Sequence, residues 1–299
     1  METRLVSLDG EWHLAIDPKN IGLQREWWKK VRPDSKPVRV PGIIQEAFPA
    51  YHGIAWYWRN FRSPRHPDDQ GRFLLRFSAV DYFCDVWLNG VHAGTHEGGE
   101  TPFELDVTDA VRPGGINHLA VRVLNPANEP IDGMTLGQTP HRNKSIPPRP
   151  GGSYNYGGIT EPVELSLVPP VRVRDLFVRA DIRTGRVTVQ VVLRNSTKAA
   201  RKVGMQICLS PAATGIVLTS AQLECRIRLK DTTIHAQLQL GGPRLWELHD
   251  PYLYRATVRL CFKSGHTIDE RSVRFGFRDF RVVNGYFHLN GKRVFLKST

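Results

Sequence analysis

No stretch of about 18 apolar residues occurs in this 299-residue chain, which excludes a membrane-spanning helix. Cysteine is scarce. The four present are Cys84, Cys208, Cys225 and Cys261, widely spaced within strand-like runs, and they form no metal-ligand or redox motif. They are expected to be buried free thiols. A phosphate loop, a dinucleotide fingerprint and a zinc-protease motif are all missing. Gly151-Gly152-Ser153-Tyr154-Asn155 lacks the last glycine of a nucleophile elbow. No charged and apolar leader precedes Asp9-Gly10-Glu11-Trp12, so no signal peptide is expected in this chain. The compartment stays open, with scattered thiols compatible with a reducing cytoplasm. No helical βα repeat is legible. The expectation is therefore no cofactor, no metal and no membrane partner.

What is present reads as β-structure. Asp81 to Val107 holds two runs rich in β-branched and aromatic residues on either side of Asn89-Gly90. Asn-Gly is a strong hairpin signal, because a type I′ turn needs positive φ at both central positions. Val86 and Leu88 fall on one face of the first run, Asp85 and Trp87 on the other. A turn at Gly98-Gly99 leads to a third run, where Phe103, Leu105 and Val107 alternate with Glu104 and Asp106. Such a meander builds antiparallel sandwiches.

The same stretch carries a resemblance. Val86-Trp87-Leu88-Asn89-Gly90 followed by Gly94-Thr95-His96-Glu97-Gly98-Gly99-Glu100-Thr101-Pro102-Phe103 resembles the hairpin in the N-terminal sugar-binding domain of family 2 glycoside hydrolases. This is the β-galactosidase and β-glucuronidase family. Further segments are similar to that family in its own order. They include Leu8-Asp9-Gly10-Glu11-Trp12, Val38-Arg39-Val40-Pro41-Gly42, the aromatic strand Gly53 to Phe61, and Asn117 to Asn125. Beyond these come Asn155-Tyr156-Gly157-Gly158-Ile159, Leu245-Trp246 with Pro251-Tyr252-Leu253-Tyr254, and Arg274-Phe275-Gly276-Phe277-Arg278.

Glu26 to Lys30 looks like a short amphipathic turn, and Arg72 to Val80 reads as another strand. Pro126 to Gly158 is the least regular segment, with six prolines and six glycines in 33 residues. A long irregular loop of this kind is usually functional or disordered. Glu161 to Leu165 returns to the sheet, and Pro169-Pro170 marks a domain boundary. Beyond it, Val187, Val189, Val191 and Leu193 share a face. Met205, Ile207 and Leu209 do the same, as do Leu238 with Leu240 and Val258 with Leu260. About seven strands at roughly ten-residue spacing fit an immunoglobulin-like sandwich.

Charge is unevenly spread over a net +12. Residues 1–168 carry 18 Lys+Arg against 20 Asp+Glu, and residues 169–299 carry 23 against 9, giving −2 and +14. A basic half can mark a nucleic-acid surface. Here Arg172 and Arg174 alternate with Val171 and Val173, and Arg226 and Arg228 with Cys225, Ile227 and Leu229. Outward strand positions explain that spacing, so no nucleic-acid partner is expected.

The fold class expected is all-β. A jelly-roll, galactose-binding-like sandwich spans residues 1–168 and an immunoglobulin-like sandwich residues 169–277. Residues 278–299 form a linker hairpin, built on Asn290-Gly291, that in the family leads into the (β/α)₈ barrel. The family's retaining chemistry needs two carboxyl groups about 5 to 5.5 Å apart, and the resemblance puts both on that barrel. A barrel takes roughly 250 residues, and the chain reaches Thr299 soon after the hairpin. No catalytic residue is therefore assigned, and this stretch alone is expected to be inactive, with exposed barrel-facing surfaces that make it adhesive. Glu97, Glu100 and Glu104 are read as solvated side chains rather than a catalytic pair.

The remaining candidates bind sugar. Aromatic faces pack on ring C–H groups, and amides bond hydroxyls. Tyr154, Asn155 and Tyr156 supply these types, in the segment that in the family ends the loop nearest the active site. In several family members an Asp three residues before this Asn touches the sugar, and here that position is Gly152. His141, Arg142 and Lys144 are read as solvated, with contact to an acidic sugar or another domain as the alternative. The partner expected is a carbohydrate, a β-glycoside, with the oligomeric state left open. A free-standing lectin-like module is the rival reading.

Overall fold

A computed structural model describes residues 4–140, 143–262 and 264–297, and these residues divide into two units. The first, Arg4–Val168, is a sandwich of two antiparallel sheets. Its strands are β1 (Arg4–Ser7), β2 (Gly10–Ile16), β3 (Lys36–Val40), β4 (Gly53–Arg62), β5 (Arg72–Phe77) and β6 (Phe83–Leu88). They continue as β7 (Val91–Glu97), β8 (Phe103–Asp106), β9 (Ile116–Asn125), the short β10 (Lys144–Ser145) and β11 (Ser153–Tyr154), and β12 (Val163–Val168). The small sheet runs β1-β12-β5-β8 and the large one β3-β2-β4-β9-β6-β7. Leu75, Phe77, Val86, Leu88, Val121 and Leu165 are among the side chains that fill the space between them. Asn89 and Gly90 both take positive φ, 52° and 85°, and close the β6–β7 hairpin as the Asn-Gly signal requires.

The large sheet is also covered on its outer face. Trp56, Trp58 and Trp87 alternate with the inward residues, and all three are buried against Ala15, Ala120 and Leu124. The segment after β2 provides the cover. Its amides of Ile21 and Gly22 donate to the buried Asp17 carboxylate at 3.0 and 2.7 Å. A short 3-10 turn, Trp27–Lys29, then lays Trp28 parallel to Trp87 with ring centres 5.3 Å apart. Trp58 Nε1 donates to the Trp27 carbonyl at 2.8 Å. Gly22 is needed here, since a Cβ would fall 2.4 Å from Trp56 Nε1.

The second unit comprises the described residues from Pro169 onward. Its strands are β13 (Val171–Ala180), β14 (Arg186–Asn195), β15 (Arg201–Pro211), β16 (Thr219–Ile227), β17 (Lys230–Gln239), β18 (Tyr254–Cys261) and β19 (Thr267–Phe275). Sheets β13-β14-β17 and β16-β15-β18-β19 enclose one core. The four apolar sets read from alternation all lie in it, with Met205 opposite Leu260 and Ile207 opposite Val258. Arg174, Arg226 and Arg228 are exposed. All four cysteines lie in strands as free thiols, but only Cys84 and Cys225 are buried, while Cys208 and Cys261 are half-buried. The latter two sit nearer the solvated side of β15 and β18, whose inward positions belong to Ile207, Leu209 and Leu260. A separate three-stranded sheet follows, of β20 (Phe280–Val283), β21 (Tyr286–Leu289) and β22 (Lys292–Arg293). Asn290-Gly291 makes one of its turns, and Asn284-Gly285, with φ of 49° and 81°, makes the other.

Candidate functional site

Irregular backbone must find hydrogen bonds outside a ladder, and the described residues of segment 126–158 find them by folding back on one another and on the first unit's loops. A 3-10 turn, Leu136–Gln138, is closed by a capping box between Thr135 and Gln138. Farther on, β10 and β11 pair in parallel, setting Lys144 beside Ser153 and Ser145 beside Tyr154. Lys144 is not solvated. It forms an ion pair with Asp81, and both side chains are largely buried. Removing either partner would strand a charge at low dielectric. His141 and Arg142 lie outside the described residues.

The three sugar-contact candidates occupy different environments. Asn155 is 1% exposed. Its Nδ2 donates to the Pro126 carbonyl at 2.7 Å, and its carbonyl meets His52 Nε2 at 3.0 Å. Burial holds the His52 imidazole below its ordinary value, so at neutral pH the ring is uncharged and its Nε2–H donates. Tyr154 is half-buried and stacks edge-on to His52, with centres 5.3 Å apart. Tyr156 is 48% exposed and meets Tyr154 edge-on at 4.9 Å. The two phenol rings thus form an aromatic surface, and Asn155 anchors it from below.

Two glycines let the chain after Tyr156 approach the sheet. A Cβ on Gly157 would lie 2.3 Å from Asn125 Nδ2, and one on Gly158, at φ 140°, would lie 2.8 Å from Tyr57 Oη and from the Gly42 carbonyl. The Gly157 amide donates to Gln45 Oε1 at 3.2 Å, and its carbonyl accepts from Ile44 at 2.8 Å, at the start of the one-turn helix α1 (Ile44–Ala47). Gly158 exchanges two 2.8 Å backbone bonds with Asp81. The aromatic surface is therefore fixed to both α1 and the Asp81–Lys144 pair.

The sequence reading missed a polar cleft of about 260 Å³ in the same unit, lined by Tyr82, Glu97, Asp132, Met134, Gln138 and Thr139 among others. Tyr82 Oη donates to Glu97 Oε1 at 2.9 Å. Burial, then the bond to Glu97, pushes the phenol up to about 12, so it stays protonated and can donate. Asp132 pairs with the buried Arg122, which also donates to Asn20 Oδ1 at 2.9 Å and Asp85 Oδ2 at 3.3 Å. Phenol, carboxylate and amide groups converging on a small hollow suit the hydroxyls of a polar ligand. Glu97, Glu100 and Glu104 are all exposed. Among the described residues, no group of three or more His, Cys, Asp or Glu could hold a metal ion.

Residues 43–169 match the family model for the glycosyl hydrolases family 2 sugar binding domain, and residues 171–278 match the glycosyl hydrolases family 2 model. A β-glucuronidase of Paenibacillus borealis is 28% identical over 308 residues, covering 97% of this chain and 48% of the relative. A dog (Canis lupus familiaris) β-glucuronidase is 26% identical, with 95% and 46% covered. A β-galactosidase of Halalkalibacterium halodurans is 27% identical, with 97% and 29% covered. The solved β-glucuronidase of Ruminococcus gnavus in complex with D-glucuronic acid superposes with a TM-score of 0.74 at 23% identity, covering 99% of this chain and 49% of that one. The chain thus spans about half the length of the β-glucuronidases it matches, or less.

Proposed function

This chain belongs to the glycosyl hydrolases of family 2, and from that we propose that it forms the non-catalytic N-terminal part of a retaining β-glycosidase. Its role is to support and shape the active site of a barrel. The observation that carries this reading is coverage. Nearly all of the chain aligns with about half of each β-glucuronidase above. The class of bond is O-glycosidic. The frequency of β-glucuronidases among the relatives favours a β-glucuronide as the whole protein's substrate.

Each part has a task in this reading. Residues 1–168 carry the sugar-facing loop, residues 169–277 the immunoglobulin-like spacer, and residues 278–299 the hairpin leading toward the barrel. Tyr154 and Tyr156 present the aromatic surface to the sugar, and Asn155 positions it. The hairpin leaves large apolar side chains open to solvent among its charged ones: Phe280, Val282, Tyr286 and Phe295 are all exposed. Apolar strand faces of this kind are usually buried against another layer.

The test is hydrolysis of chromogenic β-glucuronides, β-galactosides and β-glucosides by the purified chain. The expected result is no turnover above buffer. Turnover that stays with this chain through purification would refute the reading, since it would place a catalytic pair among Glu97, Glu100, Glu104 and Glu161.

A further inference from the structure

Five arginines converge on a cleft of about 380 Å³ in the second unit: Arg179, Arg183, Arg186, Arg278 and Arg281, with Asp181 and Asp279 beside them. The sheet register puts three of the lining residues on one surface. Arg179 lies opposite Thr188, while the neighbouring Val187 and Val189 point into the core. Arg179, Arg186 and Thr188 therefore share the outer face of β13–β14. Arg183 sits in the turn joining those strands, and Arg278 and Arg281 flank the start of β20.

The two aspartates offset only part of the charge of the five arginines. The Asp181 carboxylate accepts the amides of Arg183 and Thr184 at 2.8 and 3.3 Å and so clasps its own turn. Asp279 pairs with Arg281, whose Nε lies 2.8 Å away. Arg278 lies over the Trp246 ring, 5.3 Å from its centre, which steadies the guanidinium and leaves its charge in place. Arg179 and Arg186 have no carboxylate partner among the described residues. Like charges gathered in a hollow repel one another, and an anion placed between them relieves that repulsion.

We propose that this cleft binds a small polyanion carrying two or more phosphate or sulfate groups. The guanidinium fork matches tetrahedral oxyanions through paired N–H donors. The volume falls within the range of small-molecule sites and exceeds what a bare ion needs. The lining has no aromatic ring on which a nucleobase could stack, which argues against a nucleic acid.

The test is calorimetric titration of the chain at about 0.15 M NaCl, where remote surface charge is largely screened. The probes are inorganic pyrophosphate and a disulfated disaccharide, which separate a phosphate from a sulfate source. The expected result is saturable binding of at least one probe, weakened about tenfold or more in R179Q/R186Q. R183Q, an exposed change in the turn, gives an independent loss in the same direction. R226Q/R228Q removes the same charge from exposed positions elsewhere in the unit and is expected to change affinity less than about twofold. Absence of saturable binding to both probes, or equal weakening by the two double variants, overturns the proposal. So does a single-stranded oligonucleotide that binds and is not displaced by either probe.

Discussion

At the residue scale, Asn155 and Tyr156 are neighbours with opposite duties. Asn155→Ala removes a buried donor and leaves the Pro126 carbonyl without its 2.7 Å partner. Its expected cost is about 1–3 kcal/mol in urea unfolding of the first unit. Tyr156→Ala, at a half-exposed position, is expected to stay within about 0.5 kcal/mol of the parent. His52 and His118 add a pH dependence, because burial holds both imidazoles below their ordinary value. In the unfolded chain they take up protons near about pH 6.5, while in the fold they resist until lower pH. Stability is then full above that value. It falls as pH drops through it and levels once the folded imidazoles protonate. His52→Gln keeps an N–H for the Asn155 carbonyl and cannot titrate, so its melting temperature should fall less between about pH 7.5 and pH 5 than the parent's. An unchanged slope would remove His52 from the account.

At the scale of elements, the β4–β9–β6 centre of the large sheet and the loop that ends at Ile159 depend on close approach. Gly157→Ala drives a Cβ to 2.5 Å from the Asn125 Cβ, a group that cannot swing aside. The expected loss is about 1–3 kcal/mol, together with faster hydrogen exchange at Gly157 and Gly158. Trp87→Ala would open a cavity in the outer layer and cost about 3–5 kcal/mol by chemical denaturation. These elements were unequally legible in the sequence. Strands β13–β19 alternate cleanly, because each sheet has one face on the core and one in water. Their apolar sets could be read residue by residue. In β4 and β6 tryptophans occupy the outer face as well, and alternation alone could not say that Trp56, Trp58 and Trp87 lie beneath the segment around Trp27. The Asp81–Lys144 pair spans 63 positions, and no local pattern links its members. Tyr82, Asp132 and Gln138 come from three separate stretches of chain, so the polar cleft had no motif to reveal it.

At the scale of the whole molecule, the two units differ in chemistry as well as in fold. The first half is nearly charge-balanced, and the second carries all of the net positive charge. A salt titration should therefore affect binding of anions to the second unit far more than the melting of the first. The thiols divide in the same way. Cys84 is buried in the core of one unit and Cys225 in the core of the other, and burial raises both above the ordinary thiol value. Neither can react with an alkylating reagent until its own sandwich opens. Peptide mapping after timed iodoacetamide exposure in rising urea should yield two separate labelling curves. The chain thus carries an internal clock for each half, able to show which sandwich loosens first.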